Sequence, residues 1–446
     1  MAQNATPRNA LIAQSGGPSP VINASLAGVL DACFASGGIA GVYAAWHGIE
    51  GVLQEQLVDM KRQDPAELAR LRRTPSAGAI GTCRYKLGPG QQEDFGRILE
   101  VFRAHGIGYF FYIGGNDSMD TAAKVSALAR ARGHPLVVAG VPKTIDNDVG
   151  DEGFTLIDHT PGYGSAARYW ANAIANVNEE NRGMSVSECV CVLQAMGRKS
   201  GYVAAASRLA DPGREMPLLI FFAETGFGLD ELYERVDETL RRAGRCIVVV
   251  NEGFDVGDLG EARDGFGHIE YGASKISAAQ AVVNHLNRRG FPVRGQATGQ
   301  VPGVMQRCEP IHASRVDQDE AYRVGAKAVE IAMRDGTGWM ATILRRGGVS
   351  VGPAAPQAVP AYEACYGKAP LEAVANSARR LPKGWIAPGG ADVTDGFVSY
   401  AAPLIGDGWP LVEIEGGIQR FARLDIKFVP QLCAPYTPCT MRRPTA

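Results

Sequence analysis

Short apolar runs rich in β-branched residues alternate along this chain with longer stretches of helical periodicity, and nearly every run ends in glycine and polar residues. That alternation predicts a parallel sheet, because parallel strands need long crossover connections and helices supply them. The runs that read as strands are ALIA (10–13), YFFYI (109–113), LVVAGV (136–141), CVCVL (189–193), LLIFF (218–222), CIVVV (246–250) and WMATIL (339–344). Helical stripes follow several of them: Ile22, Leu26, Val29, Leu30, Cys33 and Phe34 share one face after the first, and Met119, Ala122, Ala123, Val125 and Leu128 share one after the second. Residues 160–177, 229–243 and 274–286 also read as helices.

A chain of 446 residues has room for about two domains, each with its own core. Its 45 basic and 47 acidic side chains nearly cancel, which excludes a general nucleic-acid binder, since phosphate backbones demand a basic surplus. No stretch approaches the roughly 18 apolar residues of a membrane span, and the N-terminus lacks a basic start followed by an apolar stretch. The nine cysteines include no Cys-x-x-Cys pair and no zinc-ligand spacing, so the expectation is a soluble, cytoplasmic protein with reduced, mostly buried thiols and no membrane partner. Fifty-five glycines exceed the usual level of about 7% without any repeat, so many turns must bring backbone close to something.

Six of the strands end in QSGGPSP, GGNDS, PKTIDND, QAMGRKSG, AETG and NEG. In open α/β sheets ligands bind beyond the carboxyl ends of strands, so these six ends are expected to meet in one cleft. Two glycine patterns mislead. Gly162-Tyr-Gly164-Ser-Ala-Ala167 fits a loose dinucleotide signature but follows no clean strand, and no phosphate loop of the G-x-x-x-x-G-K-[ST] kind occurs. The strongest cluster is Lys143-Thr-Ile-Asp146-Asn-Asp148. Two carboxylates two residues apart, with a lysine three before the first, suit phosphoryl transfer: one takes a proton from the accepting hydroxyl, the other binds Mg²⁺, and the lysine offsets phosphate charge.

These residues resemble the 6-phosphofructokinases, and within them the pyrophosphate-dependent branch. The resemblance runs from about residue 10 to about residue 330 through SGGP (15–18), GTCR (81–84), GGNDS (114–118), PKTIDND (142–148), MGRKSGY (196–202), NEG (251–253) and QR (306–307). It implies that Asp146 is the base acting on a sugar 1-hydroxyl, with Thr144, Lys143 and Arg84 beside it on phosphate. It implies donor contacts at Gly16, Gly115, Asp117, Lys143 and Arg84, sugar-phosphate contacts at Thr144, Asp146, Met196, Gly197, Arg198, Glu252 and Arg307, and Mg²⁺ at Asn116 and Asp148. ATP-using relatives have glycine where this chain has Asp117 and Lys143. A carboxylate at 117 would repel an ATP α-phosphate, and a lysine at 143 adds a cation for pyrophosphate.

The resemblance therefore implies reversible phosphoryl transfer from pyrophosphate to fructose 6-phosphate, with Mg²⁺ as cofactor and a homodimer or homotetramer as the assembly. The alternatives are an ATP-dependent phosphofructokinase, a pyrophosphate enzyme preferring another sugar phosphate such as sedoheptulose 7-phosphate, and a non-catalytic regulatory subunit. Cys189 and Val304 depart from the family at the half of the sugar site that a second subunit completes, where Arg294 is a candidate replacement by spacing. The expected architecture is α/β with two doubly wound Rossmann-like α/β/α domains facing across the cleft. Residues 1–157 and 305–350 would form the donor and Mg²⁺ domain, 158–304 the sugar-phosphate domain, and 351–446 a C-terminal extension on the body, ending in a loose tail from residue 434.

Overall fold

A computed structural model describes residues 8–88, 90–260, 262–264, 267–354, 361–375 and 377–442. Its strands are β1 (Arg8–Gln14), β2 (Ile39–Ala45), β3 (Leu57–Asp59), β4 (Ile107–Gly114), β5 (Val137–Pro142), β6 (Val190–Ala195), β7 (Leu218–Phe221), β8 (Cys246–Asn251), β9 (Ala297–Gln300), β10 (Trp339–Arg345) and β11 (Ala364–Pro370), with a small hairpin at β12 (Ile414–Glu415) and β13 (Ile418–Gln419). The helices that build the layers are α1 (Ile22–Ala35), α2 (Gln92–Ala104), α3 (Asn116–Ala131), α4 (Tyr163–Met184), α5 (Leu229–Ala243), α6 (Ala278–Arg289), α7 (Arg315–Asp335) and α8 (Asp395–Ile405).

One sheet runs in the order β11-β10-β5-β4-β1-β2-β3, parallel through β10-β5-β4-β1-β2 and antiparallel at both edges. A second, wholly parallel sheet runs β7-β8-β6-β9. Strand side chains alternate faces, and both faces are buried, which is why the runs read as continuously apolar. Thus Ala10, Ile12, Tyr109 and Phe111 pack with Leu26 and Val29 of α1 and Val324 of α7, while Leu11, Ala13, Phe110 and Tyr112 pack with Ile98 and Phe102 of α2 and Met119 of α3. In the smaller sheet Leu193 and Val249 face Trp170 of α4, and Val192 and Val248 face Leu232 of α5 and Leu286 of α6.

Three differences from the sequence reading have simple causes. Phe34 is 37% exposed: it lies about 40° round the helix from buried Leu30, but in the last turn of α1, next to its end at Ala35. Only four of the nine cysteines are buried; the other five are partly covered. The final stretch is tied down rather than loose: Val429 N–H donates to Leu57 O (2.8 Å), and the Tyr436 hydroxyl (2.7 Å) and Cys439 N–H (3.1 Å) both donate to the buried Asp94 carboxylate. A one-residue view of composition cannot see an acceptor 342 residues away in sequence. Among the described residues no helix is long and apolar enough to cross a membrane.

Helices α1 and α7 touch backbone to backbone. A Cβ on Gly28 would lie 1.9 Å from Tyr322 O, and one on Gly325 would lie 2.2 Å from Ser25 O, so each glycine is a contact point for the other helix. Replacing Gly28 by Val must push the helices apart. The expected cost is about 3 kcal/mol, read as a lowered urea midpoint at unchanged slope; a midpoint equal to that of the parent protein would show that the crossing is not tight.

Candidate active site

Strand β1 has β2 on one side and β4 on the other, so the chain reverses its direction across the sheet between β1 and β4. Such a switch point leaves a crevice at the carboxyl ends of the two strands. Here the crevice is part of a cleft of about 710 Å³. Into it come Gly16 and Gly17 after β1, Gly115, Asn116 and Asp117 after β4, Lys143, Thr144, Asp146 and Asp148 after β5, Met196 and Arg198 after β6, and Glu252 after β8, joined by Arg84 and Arg307. Of the six strand ends expected to converge, the AETG end does not line this cleft. Its Glu224 instead accepts the N–H groups of Gly201 (2.8 Å) and Leu381 (3.0 Å).

The loop carrying the two aspartates is held from several sides. Thr144 N–H donates to Pro161 O (3.2 Å), and the Thr160 hydroxyl donates to Thr144 O (2.9 Å). The Thr144 hydroxyl oxygen accepts Asp146 N–H (3.1 Å). Between the carboxylates Asn147 takes a left-handed conformation, φ 57°. Its side-chain oxygen accepts Thr160 N–H (3.1 Å), its amide donates to the Tyr400 hydroxyl (2.9 Å), and the buried guanidinium of Arg379 binds its carbonyl. Burial, and then the neighbouring Asp146 charge, raises the Asp148 pKa to about 6.

On the opposite wall Glu252 accepts the N–H groups of Gly197 (3.1 Å) and Arg198 (2.8 Å), fixing a turn in which Arg198 has φ 50°. Gly197 thus serves through its backbone. Burial, and next Asp146, lifts Glu252 to about 7. Gln306 accepts Met196 N–H (3.0 Å) and the Trp170 indole N–H (2.8 Å), so the residue beside Arg307 sets the position of Met196.

The cations are crowded. Lys143 donates to Gly17 O (2.5 Å), and burial, followed by the charge of Arg307, brings its pKa down to about 7. Arg307 lies over Gly17, where a Cβ would come within 2.6 Å of its Nη1, and its buried Nε has no hydrogen-bond partner. Arg84 is engaged by Asp264 and by Glu270 (3.1 Å), Arg198 meets His268 Nδ1 at 2.7 Å, and Asp117 stands 3.4 Å from Lys86 and 3.7 Å from His268. Sequence reasoning missed Asp264, His268 and Glu270, because residues 262–273 carry neither strand nor helix periodicity, and it missed Lys86, which lies two residues past the GTCR run. Arg379 gave no signal either, since it joins the site from more than 200 residues away.

One expected position sits differently. Asn116 turns its oxygen toward Asp117 N–H (2.9 Å) and its NH₂ toward Asp148 (3.5 Å) and Ser377 O, so as placed it offers no oxygen to an ion beside Asp148. Arg294 is exposed and outside this chain's own cleft lining, where a side chain reaching a second subunit would lie, and Val304 lines the cleft at 55% exposure.

Residues 9–332 match the phosphofructokinase family. The chain is 38% identical over 428 residues to a pyrophosphate--fructose 6-phosphate 1-phosphotransferase of Halomonas elongata, covering 93% of this chain and 96% of that protein. It is 38% identical over 439 residues to the enzyme of that name from Methylococcus capsulatus, covering 96% and 98%. Its structure is similar to that of a pyrophosphate-dependent phosphofructokinase from Nitrosospira multiformis, with a TM-score of 0.83, 36% identity, and coverage of 96% of this chain and 100% of the other.

A buried ammonium whose pKa has fallen to about 7 is held neutral by the fold above that pH, and an anion placed beside it reverses the cost. At pH 8 roughly nine in ten Lys143 side chains are neutral without ligand. Binding of inorganic phosphate at pH 8 should therefore take up close to one proton at Lys143, and much less at pH 6, where it is already charged. Calorimetry in buffers of different ionisation heat reads this directly. Lys143→Met should remove that proton; equal uptake in both proteins would show that Lys143 does not face the anion.

Proposed function

Because the chain belongs to the phosphofructokinase family, we propose that it is a pyrophosphate--fructose 6-phosphate 1-phosphotransferase, converting fructose 6-phosphate and pyrophosphate reversibly to fructose 1,6-bisphosphate and phosphate. The observation that carries this is Asp117 and Lys143 lining one cleft with Asp146. On this reading the Asp117 carboxylate sets negative charge against extension of the donor beyond two phosphates, while Lys143 adds a cation for the two that fit.

Asp146 accepts the proton of the sugar 1-hydroxyl as its oxygen attacks the donor phosphorus in line, and the departing phosphate takes the anhydride electrons. Phosphoryl transfer needs mostly placement and charge compensation. Lys143, Arg84 and Arg198 supply the compensation, with the backbone N–H of Gly115 close to the donor; Gly16 N–H is spent on Cys83 O (2.9 Å), so Gly16 serves through its left-handed turn, and Thr144 holds both Asp146 and a phosphate oxygen. Glu252, the Met196–Arg198 turn and Arg307 hold the sugar phosphate. Arginine forks match phosphate oxygens, and a carboxylate accepts sugar hydroxyls. On this reading the larger sheet carries the donor and the smaller sheet the sugar.

The residues fit Mg²⁺ in one limited way. Asp148 is a partly buried carboxylate whose pKa is raised by desolvation and by the neighbouring Asp146 charge, and no cluster of three His, Cys, Asp or Glu side chains forms a metal cage among the described residues. Mg²⁺ is commonly held by one or two carboxylates with phosphate oxygens and water, so Asp148 with the donor suffices, and Asn116 would hold a water. When bound, the ion offsets charge on the phosphoryl oxygens. The same reading makes the enzyme a homo-oligomer, with exposed Val301, Val304 and Met305 beside the sugar site as the side a second copy covers. A fully active monomer in sedimentation would remove that part.

In a coupled assay with Mg²⁺ and fructose 6-phosphate, product is expected with pyrophosphate and not with ATP; product with ATP alone would overturn the donor assignment. Asp146→Ser should lower kcat by about 10³-fold or more while sparing sugar-phosphate binding. Replacing both Asp117 and Lys143 by Gly should weaken pyrophosphate use. Unchanged pyrophosphate kinetics in that variant would show that neither residue selects the donor.

A further inference from the structure

We infer that Arg379 is a positioning residue for the phosphoryl-transfer loop, supplied by the C-terminal part of the chain; this rests on the roles given above to Asp146 and Asp148. Its side chain is buried, at 1% exposure, and among the described residues no carboxylate is one of its hydrogen-bond partners. Backbone carbonyls take their place. Nε (3.2 Å) and Nη2 (3.0 Å) donate to Asn147 O, Nη2 also to Asn147 Oδ1 (2.9 Å) and Asp158 O (3.1 Å), and Nη1 to Ile157 O (2.8 Å). The guanidinium lies 4.0 Å from the Phe154 ring centre.

The contacts concentrate on the residues that carry the chemistry. Arg379 N–H donates to Asp148 O (2.7 Å). The Ser200 hydroxyl lies 3.4 Å from Asp146 O and 3.3 Å from Arg379 O. Two residues earlier, Ser377 accepts Gly150 N–H at its hydroxyl (3.1 Å) and the Asn116 amide at its carbonyl. Three consecutive carbonyls, from Asp146 to Asp148, are therefore held by one short stretch or by the serine bonded to it.

The held conformation is fixed by its partners. A left-handed backbone is disfavoured for most non-glycine residues but tolerated by asparagine, so what selects it here is the hydrogen bonding around it. Asn147 is that residue, and Arg379 grips both its carbonyl and its side chain. Relaxation of its φ would turn the two flanking carboxylates relative to each other. A displacement of about 1 Å at the reacting groups is enough to lower a rate about 10²-fold. Lysine at this position keeps the charge but cannot bridge four acceptors with a planar fork.

The test uses the full chain with Arg379→Met and Arg379→Lys. For Arg379→Met we expect cooperative unfolding, kcat lowered about 10²-fold, and KM for fructose 6-phosphate within about 3-fold of the parent. Hydrogen exchange should accelerate in peptides covering residues 142–150 and remain unchanged in those covering β6 and β8. Arg379→Lys should recover part of both losses. A folded Arg379→Met with parental kcat and parental exchange overturns the inference, as does exchange that accelerates over the whole chain. If the methionine variant does not fold, the lysine variant decides: reduced kcat with exchange raised only at 142–150 supports the role, and parental values sink it. Exchange is measured without substrate, so an inactive parent protein would overturn the assigned reaction while leaving the effect of Arg379 on the loop readable.

Discussion

The left-handed turn at Asn147 is the fixed point of the cleft. Both carboxylates assigned to chemistry flank it, and its own polar atoms are spent on Thr160, Tyr400 and Arg379, from three separate parts of the chain. None of those partners is optional in the buried setting, because an unpaired amide or carbonyl there costs about 1–3 kcal/mol. The loop is therefore as rigid as the parts that grip it. Those parts are in turn anchored: Tyr400 stacks on Trp385 at 4.6 Å in the core beneath the smaller sheet, and its hydroxyl donates to Asp158 O (3.0 Å).

A second layer of order surrounds the passage between the sheets. The Asp317 carboxylate accepts Gly162 N–H (2.9 Å) and Ser165 N–H (2.9 Å) at the start of α4, where free N–H groups and the helix dipole favour negative charge. Beside it His159 lies between Asp158 (2.7 Å) and Glu320 (2.8 Å). Burial alone would lower its pKa, but the Glu320 and Asp158 carboxylates outweigh that and raise it to about 10. Arg345 completes the group by donating to Asp158 (2.9 Å). A charged, fully paired cluster at the crossing holds α7, β10 and the start of α4 in one relation, so the walls of the cleft keep their spacing.

Within the cleft the electrostatics lean toward neutrality. Lys143 falls toward 7 and Glu252 rises toward it, each first because burial disfavours its charge. Of the crowded arginines, Arg84 is matched by Asp264 and Glu270 and Arg198 by Asp146 at 3.6 Å, while Arg307 keeps a buried Nε without a hydrogen-bond partner. A phosphate-bearing ligand competes with these internal partners. Binding is then an exchange of one set of anions for another, which fits a reaction whose substrates and products carry similar charge.

The sequence by itself determined seven strands of the two sheets, though not β2, β3 or β9, together with the cleft at the strands' carboxyl ends and the cluster from Lys143 to Asp148, because periodicity and strand-end chemistry are local properties. It also singled out Asp117, through the resemblance, as a residue expected to bear on donor choice. Only the tertiary structure decided which groups stand around them. The edge strand β11 at Ala364–Pro370 lacks an apolar run, and the grip of Arg379 on Asn147 spans 232 residues. Asp264 and Glu270 on Arg84, the turned amide of Asn116, and Glu224 leaving the cleft for Gly201 and Leu381 depend on side-chain partners brought together by folding. Residue type fixes what a group can do; the distance and burial of its neighbours fix what it does.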